Sequence, residues 1–585
     1  MLNRLFDVPY HQLKNFPQEN MFNTKVNGEW QALSTMDFLD RSMRLSKALI
    51  HMGISSGDRV AVASTNRYEW NVLDIAVQQA GAVLVPLYPT ISAKDYAYIL
   101  NDCSAAYMFV GNQEIADKIT EVKHQLTTLK EVYAFDELNE VSSWNTLFML
   151  NHEVSELMVQ ERMDQVKPED LLTIIYTSGT TGNPKGVMLS HQNVLSNVLA
   201  CEEPIPADKS SKVLSFLPVC HIYERMLHYL YMYIGASIYF AESMETIGDN
   251  IREVKPDVFS AVPRLIEKVY DKIIAKGEDL SGVKKKLFFW AVGLAEEYEQ
   301  TGKGSWYYVK LGIARKLIFK KWQEALGGNV RAIASGSAAL QTRLSRIFLA
   351  AGIPILEGYG MTETSPVISV NSFQRGIRFG SVGALIDDVE VMIASDGEIL
   401  VKGPNVMMGY YNNEVATKEV FDEEGWLKTG DIGEFIEGKY LKITDRKKEI
   451  FKTSGGKYIV PQAIENSLKE SRFIEQAMVI GENQKFPAAF IVPDYAFLRA
   501  WAKQHELSFE TLSNEQIIAD PTVYKRIFEE VEKVNANLGN WEQLKKIKLL
   551  PDLFSIEGNE LTPTLKLKRK VILEKYSRAY NEIFE

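Results

Sequence analysis

The chain has 585 residues, of which 46% are hydrophobic and 24% are charged, and its net charge is −11. This length is too great for one hydrophobic core, so we expect two or more domains of ordinary globular composition. The negative charge argues against a general nucleic-acid binder, and anionic ligands would need locally placed cations.

The cysteine content and the apolar runs exclude several other classes of protein. Three cysteines (Cys103, Cys201 and Cys220) are too few for a disulfide framework or a zinc knuckle. No run of about 18 apolar residues is present to span a bilayer, and the first ten residues lack the apolar core of a signal peptide. We therefore expect a cytoplasmic protein.

Short apolar strands alternate with amphipathic helices, a pattern typical of α/β layers. Ser190 is a candidate N-cap for one helix, and a second helix is predicted to start at Pro263 and to stop at Gly277. Four buried strands are predicted from short apolar runs, at residues 171–175, 258–262, 331–334 and 354–356.

The most informative segment follows the first of these strands, at residues 176–191. It reads Tyr-Thr-Ser-Gly-Thr-Thr-Gly-Asn-Pro-Lys-Gly-Val-Met-Leu-Ser-His. Such a loop can bring backbone N–H groups, hydroxyls and the Lys185 ammonium close to an oligophosphate, although a Gly/Ser/Thr loop alone is more often an ordinary turn. The Walker pattern cannot be fitted to it. The candidate phosphate-binding residues are Thr177, Ser178, Gly179, Thr180, Thr181 and Lys185.

Further segments carry groups suited to nucleotide and thioester chemistry. They are residues 217–225, 335–339, 358–364, 426–433, 453–459 and 561–569. Together with the phosphate loop they resemble the adenylate-forming superfamily, and more specifically the long-chain fatty acyl-CoA synthetases. The resemblance implies an α/β fold with a large N-terminal domain of layered β-sheets and helices and a small, mobile α+β C-terminal domain. It also implies that ATP, Mg²⁺ and coenzyme A are used to convert a long-chain fatty acid to acyl-AMP and then to acyl-CoA.

The same resemblance assigns the nucleotide to residues 335–339 and 358–364. It implies that Tyr359 lies on the adenine, that Thr362 contacts the α-phosphate, and that Glu363 holds Mg²⁺ with Thr181. Glycines let the backbone approach a ligand closely, and a carboxylate is a suitable hard ligand, whereas Gly-Tyr-Gly alone is more often a turn. The other residues assigned to the nucleotide are Ser335, Gly336, Glu357, Gly358 and Gly360.

Asp431 lies in a glycine-flanked turn, where its carboxylate either caps the turn or accepts hydrogen bonds from both ribose hydroxyls. The resemblance implies the ribose role. It also implies that Arg446 adds a fork of donors for the same ribose or for the phosphate.

His221 lies in an apolar segment directly after Cys220. A lone histidine in such surroundings is more often a satisfied core residue than a catalytic one. The resemblance implies that His221 borders the substrate carboxylate and the acyl tunnel, so we assign it to substrate positioning. Sequence neighbours do not form a Cys/His nucleophile pair by default, and no oxyanion element is evident, so we reject that alternative.

Two segments near the C-terminus match the family's other functional loops. Gly455 and Gly456 either form a plain β-turn or let a pantetheine arm pass along the backbone, and the resemblance implies the second role, with Lys452 nearby. Lys566 matches the lysine that reaches the carboxylate and α-phosphate during adenylation, a task suited to a flexible ammonium. Lys568 is the competing candidate.

A domain boundary is predicted where the chain becomes strongly charged, near residue 445. We expect an N-terminal domain over residues 1–444, a hinge over 445–448 and a C-terminal domain over 449–585. The resemblance places the pivot near Lys448. Rotation of the C-terminal domain about this pivot would bring Lys566 to the acyl group in the first step and the coenzyme A loop in the second.

A helical insertion is predicted at about residues 265–325, and its part between 284 and 322 interleaves aromatic with basic residues. A helix of this type can lie on an anionic membrane surface, which would make the protein peripheral on the inner membrane face. Alternatively, its apolar side packs on the N-terminal domain.

Other functions are disfavoured by particular segments. A fatty-acyl-AMP ligase that loads a carrier protein is the main alternative, but the extra insertion of those enzymes is not evident near residues 365–400. A non-catalytic ATP- or acyl-binding protein would be expected to lack Lys566, Glu363 or Asp431, and all three are present. The missing Walker signature disfavours a P-loop kinase or ATPase.

Overall fold

The computed structural model describes residues 2–150, 154–177, 183–505, 507–555, 557–562 and 566–585. Within these ranges the chain forms two compact units. The large unit comprises Met1–Val391, Val401–Leu427 and Ile436–Leu441, and the small unit comprises Met392–Leu400, Lys428–Phe435 and Lys442–Glu585. Helices and sheets alternate in the large unit and a smaller α+β unit follows, so the predicted fold class is confirmed.

The strands, numbered in chain order, have the following bounds. They are β1 Phe22–Val26, β2 Glu29–Leu33, β3 Arg59–Ala63, β4 Val83–Leu87, β5 Tyr107–Val110, β6 Glu131–Ala134, β7 Ser142–Ser143, β8 Leu171–Thr177, β9 Lys185–Ser190, β10 Lys212–Ser215, β11 Ser237–Phe240, β12 Val258–Ala261, β13 Ala332–Ser335, β14 Ile355–Gly360, β15 Val367–Val370, β16 Ala384–Leu385, β17 Glu390–Ile393, β18 Glu398–Lys402, β19 Gly409–Tyr410, β20 Leu427–Ile436, β21 Tyr440–Arg446, β22 Phe451–Lys452, β23 Tyr458–Ile459, β24 Ile474–Ile480, β25 Ala488–Pro493 and β26 Lys546–Leu549.

The α-helices are numbered in the same way. They are α1 Asp7–Asn15, α2 Thr35–His51, α3 Tyr68–Gln79, α4 Ala93–Asp102, α5 Gln113–Val122, α6 Glu156–Gln165, α7 His191–Ala200, α8 Ile222–Ile234, α9 Ile247–Val254, α10 Pro263–Glu278, α11 Gly282–Glu296, α12 Ser305–Ala314, α13 Lys320–Ala325, α14 Thr342–Ala350, α15 Glu414–Val420, α16 Pro461–Leu468, α17 Tyr495–Gln504, α18 Asn514–Ile518, α19 Pro521–Asn535, α20 Arg569–Lys575 and α21 Ser577–Phe584. None of the helices in these described ranges is long and apolar enough to cross a membrane.

Two sheets build the large unit. One has eight strands in the order β19-β9-β8-β4-β3-β5-β6-β7. In the other, strands run in the order β16-β15-β14-β13-β12-β10-β11-β1-β2. Its central strands β11, β10, β12, β13 and β14 are parallel, whereas β15 joins β14 antiparallel. Parallel strands buried by helices on their faces read as continuous apolar runs, which explains why the predicted strands were detectable.

The predicted local elements of the large unit form where the sequence signals place them. Helix α7 begins after Ser190, whose hydroxyl accepts from the Asn193 N–H while the Asn193 side chain accepts from the Ser190 N–H. Helix α10 begins at Pro263 and ends at Glu278, one residue beyond the predicted stop. Phe288 packs directly against Gly277. A Cβ atom added at Gly277 would lie 2.2 Å from the Phe288 ring, so a side chain there has no room.

The predicted helical insertion consists of α10 to α13, with a π-helical turn at Arg315–Phe319. Leu311, Phe319 and Trp322 are buried in a core cluster that also contains Ile347 and Phe348 of the large unit. Phe319 and Trp322, two aromatic residues of the segment 284–322, are therefore core residues, as in the alternative that has the apolar side packing on the N-terminal domain.

The small unit contains the three-stranded sheet β24-β25-β26 and the two-stranded ribbon β22-β23. One core cluster lies between this sheet and α16 to α19, and includes Leu468, Ile491 and Ile527. A second cluster includes Phe490 and Ile572 and involves α20 and α21. The two faces of one sheet are thus covered by different helices, and side chains alternate between them.

Candidate active site

The predicted phosphate loop connects two antiparallel strands. Thr177 at the end of β8 pairs in register with Lys185 at the start of β9. Ser178, Gly179, Thr180 and Thr181, predicted to bind phosphate, lie outside the described residues. The strand pair therefore holds both ends of the loop, and Lys185 stands at one of them.

Lys185, Tyr410 and Glu363 form a connected cluster beside this loop. The Lys185 Nζ atom lies 5.0 Å from the centre of the Tyr410 ring, a cation–π distance. The Tyr410 hydroxyl donates a 2.9 Å hydrogen bond to Glu363 Oε1. Burial, reinforced by the Glu363 charge, holds the pKa of Tyr410 well above its ordinary value, so the phenol remains a donor. Lys185 and Glu363, both predicted site residues, are thus linked by Tyr410, which sequence reasoning missed.

Tyr410 reaches the site through strand pairing. Tyr410 of β19 pairs with Val187 of β9, and the next residue, Tyr411, donates its backbone N–H to the Gly186 carbonyl. The residues around Tyr410 carry no distinctive motif, so only the pairing of two distant strands reveals its position.

The donor set suits Mg²⁺ bound mainly by phosphate. Glu363 is 9% exposed and offers a carboxylate with one oxygen held by Tyr410. No group of three or more His, Cys, Asp or Glu side chains in the described ranges is arranged to hold a metal ion. Mg²⁺ commonly uses one or two carboxylates together with substrate phosphates and water, so Glu363 fits this ion.

The glycine-rich segment after β14 is tightly packed against the chain that follows it. A Cβ atom on Gly360 would lie 1.8 Å from the Pro366 carbonyl oxygen, and one on Gly358 would lie 3.3 Å from the Ser369 oxygen. Between them Tyr359 is half-buried, and Thr362 is buried in the short helix that follows. Gly360 therefore allows a close backbone approach that no other residue could make.

Ser335 and Glu357 lie side by side on the neighbouring strands β13 and β14. The buried Ser335 hydroxyl has no hydrogen-bond partner among the described residues. Gly336 follows it, and a Cβ there would lie 3.6 Å from the Tyr223 ring. An unpartnered buried hydroxyl at the edge of a glycine-lined surface suits a polar ligand atom.

Glu357 points toward α14, where the Ser345 hydroxyl contacts its Oε1 atom. Burial raises the pKa of Glu357 to about 7. Its backbone carbonyl accepts from the Asn371 N–H at 2.8 Å. Its assignment to the nucleotide stays a prediction.

His221 is the N-cap of α8. Its Nδ1 atom accepts from the Tyr223 N–H at 3.1 Å, which fixes the ring at the helix start. Burial holds the pKa of the adjacent Cys220 thiol well above its ordinary value. A buried neutral thiol is a poor nucleophile, which agrees with the rejection of a Cys/His pair.

Two buried polar networks that sequence reasoning missed hold α8 in place. Arg225 donates to both carboxylate oxygens of Asp74 at 2.9 and 2.5 Å. Glu224 accepts from the hydroxyls of Ser215 at 2.6 Å and Ser260 at 2.5 Å. Buried charges are retained only when paired or hydrogen-bonded in this way, so the helix that begins at His221 has a fixed position.

In the small unit, Asp431 and Arg446 lie beside each other, and their assignment to the ribose stays a prediction. The Arg446 Nε atom is 3.5 Å from Asp431 Oδ1. Asp431 lies within strand β20 and not in the predicted turn, and its N–H donates to the Thr429 hydroxyl at 3.1 Å. Donors and acceptors for a pair of hydroxyls are thus brought together.

The predicted coenzyme A loop joins the strands of the β22-β23 ribbon. Gly456 has φ +76° and donates its N–H to the Thr453 carbonyl at 2.9 Å. A left-handed residue of this kind is normally glycine. Lys452 is the last residue of β22, and its Nζ atom lies 4.7 Å from the centre of the Tyr458 ring.

Lys566 stands on a loop whose two sides are paired. Its N–H donates to the Thr562 hydroxyl at 3.0 Å, and the Thr562 N–H donates to its carbonyl at 2.8 Å. The Lys568 ammonium donates to Asn559 Oδ1 at 2.6 Å. Residues 563–565 lie outside the described residues.

Comparisons with known proteins agree with these features. Residues 10–411 match the family described as AMP-binding enzyme, and residues 448–585 match the AMP-binding enzyme C-terminal domain. The chain is 32% identical over 582 residues to long-chain-fatty-acid–CoA ligase FadD15 of Mycobacterium tuberculosis, covering 97% of this chain and 95% of that protein. It is 34% identical over 587 residues to long-chain-fatty-acid–CoA ligase 1 of Cavia porcellus, covering 95% and 82% respectively.

Solved structures with the same fold are more distant in sequence. ATP-bound MatB from Rhodopseudomonas palustris has a TM-score of 0.71 at 22% identity, covering 99% of this chain and 100% of that one. O-succinylbenzoate coenzyme A synthetase (MenE) from Bacillus subtilis, in complex with AMP, has a TM-score of 0.66 at 20% identity, covering 96% and 97%. The chain belongs to the AMP-binding enzyme family.

Proposed function

We propose that the protein activates a long-chain fatty acid with ATP, giving acyl-AMP and pyrophosphate, and then transfers the acyl group to coenzyme A. The observation that carries this proposal is the Lys185–Tyr410–Glu363 cluster beside the glycine-rich loop. It occurs in a chain whose full-length relatives are named long-chain-fatty-acid–CoA ligases.

The first step needs charge stabilisation at phosphate. A carboxylate oxygen attacks the α-phosphorus, and the bond from that phosphorus to the bridging oxygen breaks as pyrophosphate leaves. Lys185 at the end of the phosphate loop, Thr362 and Lys566 would stabilise the charge that develops on phosphate oxygens. Glu363 would hold Mg²⁺, which supplies further neutralisation of that charge.

The second step needs a free path for a thiol. The coenzyme A sulfur attacks the acyl carbonyl, its proton is lost to solvent, and AMP leaves with the electrons of the broken acyl–oxygen bond. The Gly455–Gly456 turn would border the pantetheine arm, and His221 at the start of α8 would position the acyl carboxylate.

Lys566 is favoured over Lys568 as the catalytic lysine. The Lys568 ammonium donates a hydrogen bond to Asn559, and Lys568 is the N-cap residue of α20. Lys566 is the lysine that matches the family's catalytic position, and an ammonium on a long flexible stem suits contact with a carboxylate and a phosphate.

Product analysis tests the reaction. AMP release from ATP and Mg²⁺ is measured with palmitate or acetate, with and without coenzyme A, while acyl-CoA is followed by mass. Palmitoyl-CoA formed in equal amount to AMP, with little product from acetate, supports the proposal. Acyl-adenylate that accumulates without thioester would instead indicate a fatty-acyl-AMP ligase.

We also propose that the insertion contacts an anionic membrane surface through α12 and the turn after it. Four side chains on one helical face are exposed: Trp306 by 67%, Val309 by 50%, Ile313 by 46% and Leu317 by 48%. Their spacing of three and four residues defines a single stripe. The cations beside the stripe are Lys316, Lys320 and Lys321, all exposed.

Apolar and aromatic side chains flanked by lysines are complementary to an anionic lipid surface, where each basic residue contributes about 1 kcal/mol. Flotation with vesicles that contain phosphatidylglycerol tests this contact. Charge reversal of Lys316, Lys320 and Lys321 should abolish flotation, whereas reversal of the exposed Lys94, Lys123 and Lys209 should not. Equal flotation of both variants would contradict the proposal.

The C-terminal domain is proposed to begin after a hinge at residues 445–448. The C-terminal family match starts at residue 448, which supports this boundary. The Glu449 N–H donates to the Arg446 carbonyl at 2.9 Å, so the segment forms a tight turn. Replacing Lys448 with proline should change the rates of the two half-reactions, and unchanged rates would contradict the pivot.

A further inference from the structure

Arg569 occupies a junction in the small unit that the reaction described above does not use. It follows Lys566 by three residues and opens helix α20. Its side chain is 19% exposed, so its charge lies mostly away from water. A guanidinium in such a place requires partners that satisfy its fork of donors.

The first partner of Arg569 is Glu465 of α16. The Arg569 Nη2 atom donates to both carboxylate oxygens of Glu465 at 2.7 and 2.8 Å, and the Glu465 side chain is 6% exposed. Glu465 also accepts from the Val479 N–H at 2.7 Å, and the Arg569 Nη1 atom donates to the Val479 carbonyl at 3.2 Å. Arg569 is therefore fixed to the core of the small unit.

The second partner is Glu449, the residue after the proposed pivot Lys448. Arg569 Nε donates to Glu449 Oε2 at 3.2 Å, and the Glu449 side chain is 23% exposed. The Arg569 guanidinium thus links Glu449, beside the proposed pivot, to the segment that carries Lys566. Charge-assisted bonds of this kind are directional and strong for partly buried groups.

The other side of the Lys566 loop is also anchored. Lys575 of α20 pairs with Glu560 at 2.7 Å, and Glu560 is 1% exposed. The Lys568 N–H donates to the Glu560 carbonyl at 2.8 Å. Both ends of the loop are therefore fixed. At its C-terminal end, Arg569 contacts Glu449 beside the proposed pivot.

On the preceding side of the pivot, Lys447 is held by Asp396 and Glu398, each at 2.6 Å. Ion pairs therefore hold the residues on both sides of Lys448. Rotation at Lys448 would leave Lys447 with its partners and would move Glu449 together with Arg569.

We propose that Arg569 is a positioning residue that couples Glu449 beside the pivot to the loop carrying Lys566. This coupling rests on the proposed function, because Lys566 is assigned to adenylation alone. Loss of the Glu449–Arg569 bond should therefore impair the first half-reaction and spare the second.

Glu449→Gln tests the coupling, since it removes one charge and leaves the Arg569–Glu465 pair in place. Acyl-AMP formation should fall about tenfold, whereas thioester formation from supplied acyl-AMP should change less than about twofold. Arg569→Lys keeps a charge opposite Glu465 but cannot bridge both carboxylates, so it should show the same split. Glu582→Gln, which removes the exposed Lys548–Glu582 pair of the same unit, is the matched control and should resemble the wild type.

Hydrogen exchange without substrates gives a readout independent of activity. Amides of residues 566–568 should exchange faster in Glu449→Gln than in the wild type or Glu582→Gln. If these amides exchange faster in Glu449→Gln but the wild-type protein forms no acyl-AMP, the coupling is supported and the proposed function is contradicted. Unchanged exchange, or equal loss of both half-reactions, would overturn the coupling.

Discussion

The hydroxyl of Tyr410 donates a 2.9 Å hydrogen bond to Glu363, although the two residues are 47 positions apart in the chain. The same ring lies under the Lys185 ammonium. Tyr410 therefore orients the proposed magnesium ligand and stands beside the proposed phosphate cation.

Replacing Tyr410 with phenylalanine should weaken activation by Mg²⁺. A hydrogen bond to a charged group is worth about 1.5–3 kcal/mol, so the Mg²⁺ concentration for half-maximal acyl-AMP formation should rise about tenfold or more. Pyrophosphate exchange titrated with Mg²⁺ measures this change. Tyr411→Phe is the control, because Tyr411 pairs through its backbone with Gly186, and an equal shift in both variants would contradict the role of Tyr410.

Lys566→Ala should slow acyl-AMP formation severely while thioester formation from supplied acyl-AMP persists. Removing a positioned cation from a phosphoryl transition state costs about 10²–10³ in rate. Lys568→Ala should lose only its bond to Asn559 and retain most of the first half-reaction. Acetylation of Lys566 removes the same charge, so an acetylated sample should lack pyrophosphate exchange. The reverse ranking of the two alanine variants would assign catalysis to Lys568.

Glu357 should make the large unit less stable as the pH rises. Burial raises its pKa from 4.5 to about 7, so the folded state binds more protons than the unfolded state between these values. By linkage, its contribution is fully present below pH 4.5 and is lost as the pH rises through about 7, a total of about 3 kcal/mol. Glu357→Gln should flatten the dependence of the thermal midpoint on pH between about 5 and 7.5. Parallel curves for both proteins would show that Glu357 titrates normally.

Gly360→Ala should disrupt the loop after β14. The added Cβ would overlap the Pro366 carbonyl oxygen at 1.8 Å, so the backbone must move. Acyl-AMP formation should fall at least about 100-fold, since displacement of a positioning group by about 1 Å has effects of that size. Gly293→Ala in α11 is the control, because a Cβ there meets nothing within 4 Å. Wild-type kinetics in Gly360→Ala would contradict a close-packed loop at the nucleotide.

Much of the architecture could be predicted from local patterns. The apolar runs of β8 and β12 mark buried strands, and Ser190 marks the start of α7, because these signals lie within a few residues. Asp431 was assigned to the ribose and Arg446 to the same ribose or the phosphate, and the Arg446 Nε atom lies 3.5 Å from Asp431 Oδ1. Short-range patterns and family motifs were sufficient for these features.

The remaining contacts depend on distant pairing. Tyr410 reaches Glu363 only because β19 pairs with β9, and Arg225 meets Asp74 across 151 positions. Helical periodicity locates an apolar stripe, but it does not say which face is covered. In the insertion, Trp322 is buried while Trp306 is exposed.

In the proposed reaction, the carboxylate of the fatty acid bonds directly to the α-phosphorus of ATP. The most direct measurement uses palmitate with ¹⁸O in both carboxylate positions, followed by mass analysis of the phosphate products in the presence of coenzyme A. We expect one ¹⁸O atom in AMP and none in pyrophosphate, because AMP leaves with the oxygen that attacked phosphorus. Label in inorganic phosphate, with ADP as the nucleotide product, would contradict it.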